Sequence, residues 1–120
     1  MQINSILTSI KKILGIQDYY DNFDSDLILC INSALAILTQ LGVGPEEGFT
    51  ISNASATWQD FAGEDPRLEM MKSFVHLRVR LLFDPPQNAS LADAMEKMAK
   101  EFEWRILVAA ENAKTEEAEP

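Results

Sequence analysis

Three kinds of residue in this chain could do chemistry: one histidine, one cysteine and a set of carboxylates. His76 lies between Lys72 and Arg80 at helical spacing, on a polar arc where a solvated or interface histidine is expected rather than a catalytic base. Cys30 stands among apolar residues of a predicted helix, where a thiol packs as a small hydrophobe. No neighbour would lower its pKa, so neither residue indicates a nucleophile or a general base.

The carboxylates lack the spacing of a metal-dependent nucleotide hydrolase. An all-helical enzyme of that kind needs acids three or four residues apart on the inward faces of two helices. Glu46 and Glu47 fall in a predicted loop, and Glu96 and Glu103 fall toward the outer arc of one predicted helix. There is also no glycine-rich phosphate loop and no Cys/His cluster. We therefore predict no catalytic residue, no cofactor and no metal, and a protein that is not an enzyme.

Composition narrows the class of protein further. The 120 residues, 47% of them hydrophobic, suit one domain with one core. A net charge of −9 disfavours binding of nucleic acid or anionic lipid over the whole surface. A single cysteine excludes an internal disulfide and fits a reducing compartment. No apolar run reaches the ~20 residues of a membrane span, and residues 1–16 lack a signal-peptide cleavage site, so no membrane association is expected.

The first two predicted helices cover about residues 4–14 and 25–41. In both, apolar residues recur at the three- and four-residue spacing that marks a helix face. Gly15 is a natural residue just past the end of the first helix, and Asp24 or Ser25 can cap the second. The second helix is apolar over most of its circumference, which favours a central position.

The third predicted helix starts at Asp65-Pro66 and ends at about residue 83, where two prolines follow and cannot continue the hydrogen-bond ladder. The fourth starts after a cap at Asn88 or Ser90 and reaches about Ala110.

Residues 46–64 have no helical period. Their alternating apolar positions predict either a long loop or a small β-hairpin, and Trp58–Phe61 can form one helical turn. The predicted fold is therefore all-α: a four-helix domain over residues 1–111, with that loop or hairpin between helices two and three. An acidic, disordered tail over residues 112–120 follows.

Helices three and four have more apolar surface than a small four-helix domain needs. Arg78 falls within the apolar arc of helix three, so its head should either pair with a carboxylate or extend along the apolar surface to solvent. On helix four, Trp104, Leu107 and Val108 point where Lys97, Lys100 and Asp93 point one or two turns earlier. Either the long loop covers this second face, or the face is a subunit interface; we favour self-association.

The residues that we expect at a protein interface combine large apolar area with positions on these faces or in the long loop. Trp58 is equally compatible with a core position. The interface candidates are Phe49, Ile51, Trp58, Phe61, Arg78, Trp104, Leu107 and Val108.

Lys72, Arg78 and Arg80 form the main basic concentration of the chain. A packaging factor that contacts DNA phosphate could use them, but a solvated face balanced by the surrounding acids is the better interpretation. A helix-turn-helix would need a basic recognition helix, whereas the fourth predicted helix is acidic at its start.

Four short blocks, in this order, resemble the head-tail connector (adaptor) proteins of long-tailed phages and prophages, a family also described as DNA-packaging proteins. The resemblance covers most of residues 3–108. The blocks are Gln40-Leu41-Gly42-Val43-Gly44-Pro45, Thr57-Trp58-Gln59-Asp60-Phe61, Arg80-Leu81-Leu82-Phe83-Asp84-Pro85-Pro86 and Glu101-Phe102-Glu103-Trp104-Arg105.

The resemblance implies a structural, head-completion protein of the virion neck without catalytic activity. Such a protein assembles as a homo-oligomeric ring below the portal protein, extends the DNA channel and docks the next neck (stopper) or tail-completion component. DNA would pass through without specific binding. Its location would be the virion neck, and the host cytoplasm during assembly. The alternative is a helical protein-binding or DNA-packaging accessory module encoded by a prophage.

Overall fold

The computed structural model of this protein describes residues 4–118, and its side chains through Asn112. This part of the chain forms five helices and contains no strand; one isolated antiparallel bridge joins Ser5 to Thr57. The all-α prediction is confirmed. The helices are α1 (Ile6–Leu14), α2 (Asp24–Gln40), α3 (Trp58–Ala62), α4 (Leu68–Phe83) and α5 (Ala89–Ala118).

The predicted four-helix count is not confirmed, because the long loop contains the short helix α3. Thr57 and Asp60 form a capping box at its start. The Asp60 N–H donates to the Thr57 hydroxyl (3.1 Å), and the Thr57 N–H donates to the Asp60 carboxylate (2.9 Å). Of the two alternatives for the segment between α2 and α4, the structure of residues 46–57 shows the loop and not the hairpin.

The last helix is longer than predicted. It continues past Ala110 to Ala118, so residues 112–118 are helical and not a disordered tail, while residues 119–120 lie outside the described part of the chain. The physical reason is composition: no glycine or proline occurs between Pro86 and Pro120, and Ala, Glu and Lys all favour helix. A domain boundary at residue 111 stays a prediction.

The core lies between α2 and α4 and between α4 and α5, with α1 packed across the first pair. Helix α4 contacts α1, α2 and α5 and takes the central position predicted for α2. Each fully buried large apolar side chain contributes about 1.5–3 kcal/mol to folding. The largest fully buried side chains include Ile6, Ile10, Leu27, Ile31, Leu35, Leu38, Met71, Phe74, Val75, Val79 and Ile106.

A buried lysine fixes the link between α1 and α2. Only 3% of the Lys11 surface is exposed, and its Nζ lies 2.9 Å from Asp24 Oδ1 at the start of α2. The same ammonium donates to the backbone carbonyl of Asp18 (3.0 Å). Because a buried charge requires such partners, these contacts hold residues 18–24 against the end of α1.

Candidate functional site

Three of the eight interface candidates are core residues. Ile51, Trp58 and Phe61 each have at most 4% of their surface exposed. A partner could not contact them without opening the core, so the structure removes these three from the candidate surface. Phe49 is half-buried beside Phe61, with the two ring centroids 5.5 Å apart.

Hydrogen bonds hold the long loop against α1 and α2 and explain this burial. The Ile51 N–H donates to Asn32 Oδ1 (2.8 Å), and the Asn32 side-chain amide donates back to the Ile51 carbonyl (3.0 Å). The Trp58 indole N–H donates to the Ser9 hydroxyl on α1 (3.0 Å). Since these contacts direct the loop to α1 and α2, the loop leaves Trp104 on α5 uncovered.

Trp104 is 64% exposed, far more than most tryptophans in a folded domain. It lines a shallow groove of about 290 Å³ together with Leu41, Lys100, Glu103 and Leu107. We call these five residues the tryptophan groove. Leu107 and Val108, the other candidates on α5, are partly exposed.

The groove exists because the end of α2 approaches α5 closely. Helix α2 ends at Gln40, and Gly42 follows with a φ of +94°. A Cβ at Gly42 would lie 3.7 Å from the Ala110 Cβ, so this turn passes close to α5. This approach brings Leu41 to the apolar edge of α5 that carries Trp104 and Leu107.

Arg78 has the carboxylate partner that its position predicted. Its Nη1 donates to Glu96 Oε1 at 3.0 Å, which joins α4 to α5. Both side chains are partly exposed, so the pair contributes about 0–1 kcal/mol to stability. Because the Glu96 carboxylate already neutralises Arg78, this residue is a poor contact for DNA phosphate. Only Lys72 and Arg80 then remain of the three cations that a DNA-contacting packaging factor could use.

Lys72, a second cation of α4, is partly neutralised because its Nζ lies 3.8 Å from Glu69 Oε1. Arg80 donates to the Asp84 carbonyl (2.9 Å), which orients its side chain but leaves its charge. Burial, and then the positive charge of Arg80, lower the pKa of His76, so this residue is neutral at pH 7. The face is therefore a weak attractor for DNA phosphate.

The single cysteine lies in surroundings that disfavour its reactive form. Burial, and then the Asp26 carboxylate, raise the pKa of the Cys30 thiol, which disfavours the nucleophilic thiolate. Among these residues no group of three His, Cys, Asp or Glu side chains could hold a metal ion. No helix in the described part is long and apolar enough to cross a membrane.

Sequence reasoning missed a second exposed surface, in the link before α2. Tyr19 is 85% exposed, and Tyr20 and Phe23 are partly exposed beside the carboxylates of Asp18 and Asp21. We call these five residues the aromatic link surface. The signal in the sequence was three aromatic residues within a short polar linker, where turn formation alone requires none.

Ring contacts hold part of this surface in a defined arrangement. Tyr20 stacks on Phe23 with centroids 5.5 Å apart, and Phe23 meets Phe83 at the end of α4 edge-on at 5.4 Å. Next to it is a hollow of about 450 Å³ lined by Lys12, Gly15, Ile16, Gln17, Asp18 and Tyr19. Ring contacts and the bonds of Lys11 thus preorganise the surface.

Comparison with known proteins gives one family. A family model described as phage connector protein matches residues 6–113, which is most of the chain and all of α1–α4. Neither the curated proteins nor the solved structures contain a match to the chain.

Proposed function

Because the chain belongs to the phage connector protein family, we propose that it is a structural protein of the virion neck that assembles as a ring below the portal. In this role it extends the DNA channel and docks the next head-completion or tail component. The family match over residues 6–113 is the observation that carries the proposal. It acts in the virion neck, after assembly in the host cytoplasm, and catalyses no reaction.

The exposed apolar surfaces support self-association. A contiguous apolar patch on a small helical domain usually marks a protein interface. The tryptophan groove and the aromatic link surface are two such patches, and a subunit of a closed ring needs two different surfaces for its two neighbours. Trp104 and Leu107, which were interface candidates from the sequence, line the tryptophan groove, and Val108 stays a candidate next to Leu107 on α5.

Charge supports the passage of DNA without specific binding. The net charge of −9 repels phosphate, and the cations of α4 are partly paired with acids or carbonyl groups. A prophage-encoded accessory module that grips DNA would instead need free cations on one face. Its binding would fall steeply as the salt concentration rises.

Negative-stain electron microscopy of the purified protein, alone and with the portal protein encoded by neighbouring genes, tests the proposal. We expect ring-shaped particles or a stable complex with the portal. A chain that forms no ring and does not bind the portal would contradict the neck role. Salt-sensitive DNA binding under those conditions would favour the accessory module instead.

A further inference from the structure

We propose that copies of this chain associate head to tail, with the tryptophan groove of one copy bound to the aromatic link surface of the next. The proposal rests on the ring-forming function proposed above and assigns the two surfaces that meet. Its partner is a second copy of this chain.

The two surfaces have complementary charge. Lys100 lines the groove and Lys97 lies one turn earlier on the same side of α5; within the described residues neither has an ion pair. The link surface has the carboxylates of Asp18 and Asp21, which also lack an ion-pair partner in that part of the chain. Two free cations next to an exposed tryptophan therefore match two free anions next to exposed tyrosines.

This match matters because copies of a protein with net charge −9 repel one another. A contact between two acidic surfaces would add local repulsion to that general repulsion. Lys100 and Glu103 both line the groove, so the groove itself is close to neutral, and Lys97 adds a free cation beside it. A surface with two free carboxylates therefore meets less repulsion here than over most of this acidic protein.

The two surfaces lie too far apart on one chain to contact each other, so a contact between them would join two copies. The link surface precedes the first residue of α2, whereas the groove contains Leu41, directly after its last residue. Helix α2 has 17 residues and is therefore about 25 Å long. One chain cannot bring the two surfaces together. Two different surfaces at opposite ends generate a head-to-tail contact, which closes into a ring if the rotation between copies allows it.

The shapes of the two surfaces also support a contact between them. Trp104 projects from α5 with most of its indole in solvent, and the link surface borders the hollow of about 450 Å³. A cavity of about 150 Å³ already holds a benzene ring, so this hollow has room for an indole. Ile16 and Tyr19 offer apolar contact there, and the Lys12 ammonium can lie against the indole face.

Charge reversal tests the contact. One variant combines Lys97→Glu with Lys100→Glu, a second combines Asp18→Lys with Asp21→Lys, and a third contains all four changes. The four side chains are exposed, so we expect each variant to fold. Sedimentation should show that each double variant associates roughly tenfold or more weakly than wild type. The quadruple variant should recover wild-type association, because its charges are exchanged across the same contact.

The quadruple variant is also the control for general charge effects, since it exchanges two acids and two bases and keeps the net charge at −9. A second comparison uses apolar truncation. Trp104→Ala should weaken association roughly tenfold or more, as should Leu107→Glu. Leu29→Ala, which truncates a side chain that is 70% exposed on α2, should leave association unchanged.

Two results in solution would overturn the head-to-tail contact. One is a quadruple variant that associates no better than the double variants. The other is a wild-type protein that stays monomeric at millimolar concentration. Neither result decides the neck role, which is tested by binding to the portal. If the double variants form rings on the portal as well as wild type does, the neck role stands and this contact is excluded.

Discussion

Lys11 illustrates how a single side chain can fix a surface that it does not itself belong to. It is buried at the end of α1, yet its ammonium contacts both Asp24 and the carbonyl of Asp18. Lys11 lies in the last turn of α1, where a basic residue is favourable for the helix dipole whether or not it is buried. The burial depends on the path of residues 16–23, which no local pattern specifies.

Replacing Lys11 with Met should destabilise the protein by about 1–3 kcal/mol. Methionine fills similar space, but the ion pair and the hydrogen bond to Asp18 are lost, and polar atoms of the link lose their partner. The cost stays moderate because Asp24 is partly open to solvent. Urea unfolding measures the change. Lys12→Met is the matched control, since Lys12 is exposed in the same helical turn and should cost only its interaction with the helix dipole, about 0.3–1 kcal/mol. Equal losses from the two variants would contradict the argument.

Asp65 makes stability depend on acid pH. Burial raises its pKa, but hydrogen bonds from the Arg67 side chain and backbone, together with the Arg67 charge, lower the pKa overall. A carboxylate whose folded pKa is depressed stabilises the fold above its unfolded pKa of about 3.9 and loses that contribution as pH falls through the folded pKa. The loss belongs to the window below about pH 4.

Asp65→Asn should therefore reduce the dependence of stability on pH in that acidic window. The variant should be less stable than wild type at neutral pH, where the charged pair with Arg67 is lost, and the two should converge as the pH falls. Chemical unfolding at a series of pH values measures both curves. Asp93→Asn, at an exposed position on α5, serves as the control. A constant gap between Asp65→Asn and wild type would refute the linkage.

At the scale of elements, Gly44 determines how the loop after α2 returns to the core. Its φ is +78°, and a Cβ there would lie 2.5 Å from the Phe61 ring. Phe61 belongs to α3, so this one missing side chain lets the short helix pack against the turn after α2. The glycine was recognisable from the sequence as a helix stop, but its second role depends on a contact across the loop.

Gly44→Ala should destabilise the protein more than Gly48→Ala does. Both glycines have positive φ, so both substitutions incur backbone strain of about 1–2 kcal/mol. A Cβ at Gly48 meets nothing within 4 Å, whereas a Cβ at Gly44 must displace the Phe61 ring. The added cost of such overpacking is about 1–3 kcal/mol, measurable by urea unfolding. Equal destabilisation would show that Phe61 moves aside freely.

Helix boundaries were predictable where local chemistry decides them. A residue type by itself can start or end a helix: Ser5 caps the start of α1, and Gly15 ends it with a positive φ. In the same way, the two prolines after Asp84 prevent α4 from continuing. The burial of Ile51 and Trp58 was not predictable in this way, because their hydrogen-bond partners are 19 and 49 residues away. An alternating apolar pattern fits a half-buried strand and a loop pinned to a helix equally well.

At the scale of the whole molecule, the sequence predicted an all-α fold and an excess of apolar surface. The fold class follows from the spacing of the apolar residues, and the excess follows from their number on each helix. It placed only one of the two exposed surfaces. The tryptophan groove could be found because helix periodicity fixes the direction of Trp104. The aromatic link surface could not, because a link without periodicity gives its side chains no predictable direction.

The role of the last helical turns is a property of the whole chain, and truncation tests it. Ile106 and Ala110 are the last buried residues described on α5, and Glu111 and Asn112 are exposed. Removal of residues 112–120 should therefore lower helix content in circular dichroism but change the free energy of unfolding by less than about 1 kcal/mol. Truncation after Arg105 is the matched control. It removes Ile106 and Ala110 from the core and should cost at least the 2–5 kcal/mol of one large apolar side chain. If the shorter truncation costs as much as the control, residues 112–118 belong to the folded domain and the boundary at residue 111 is wrong.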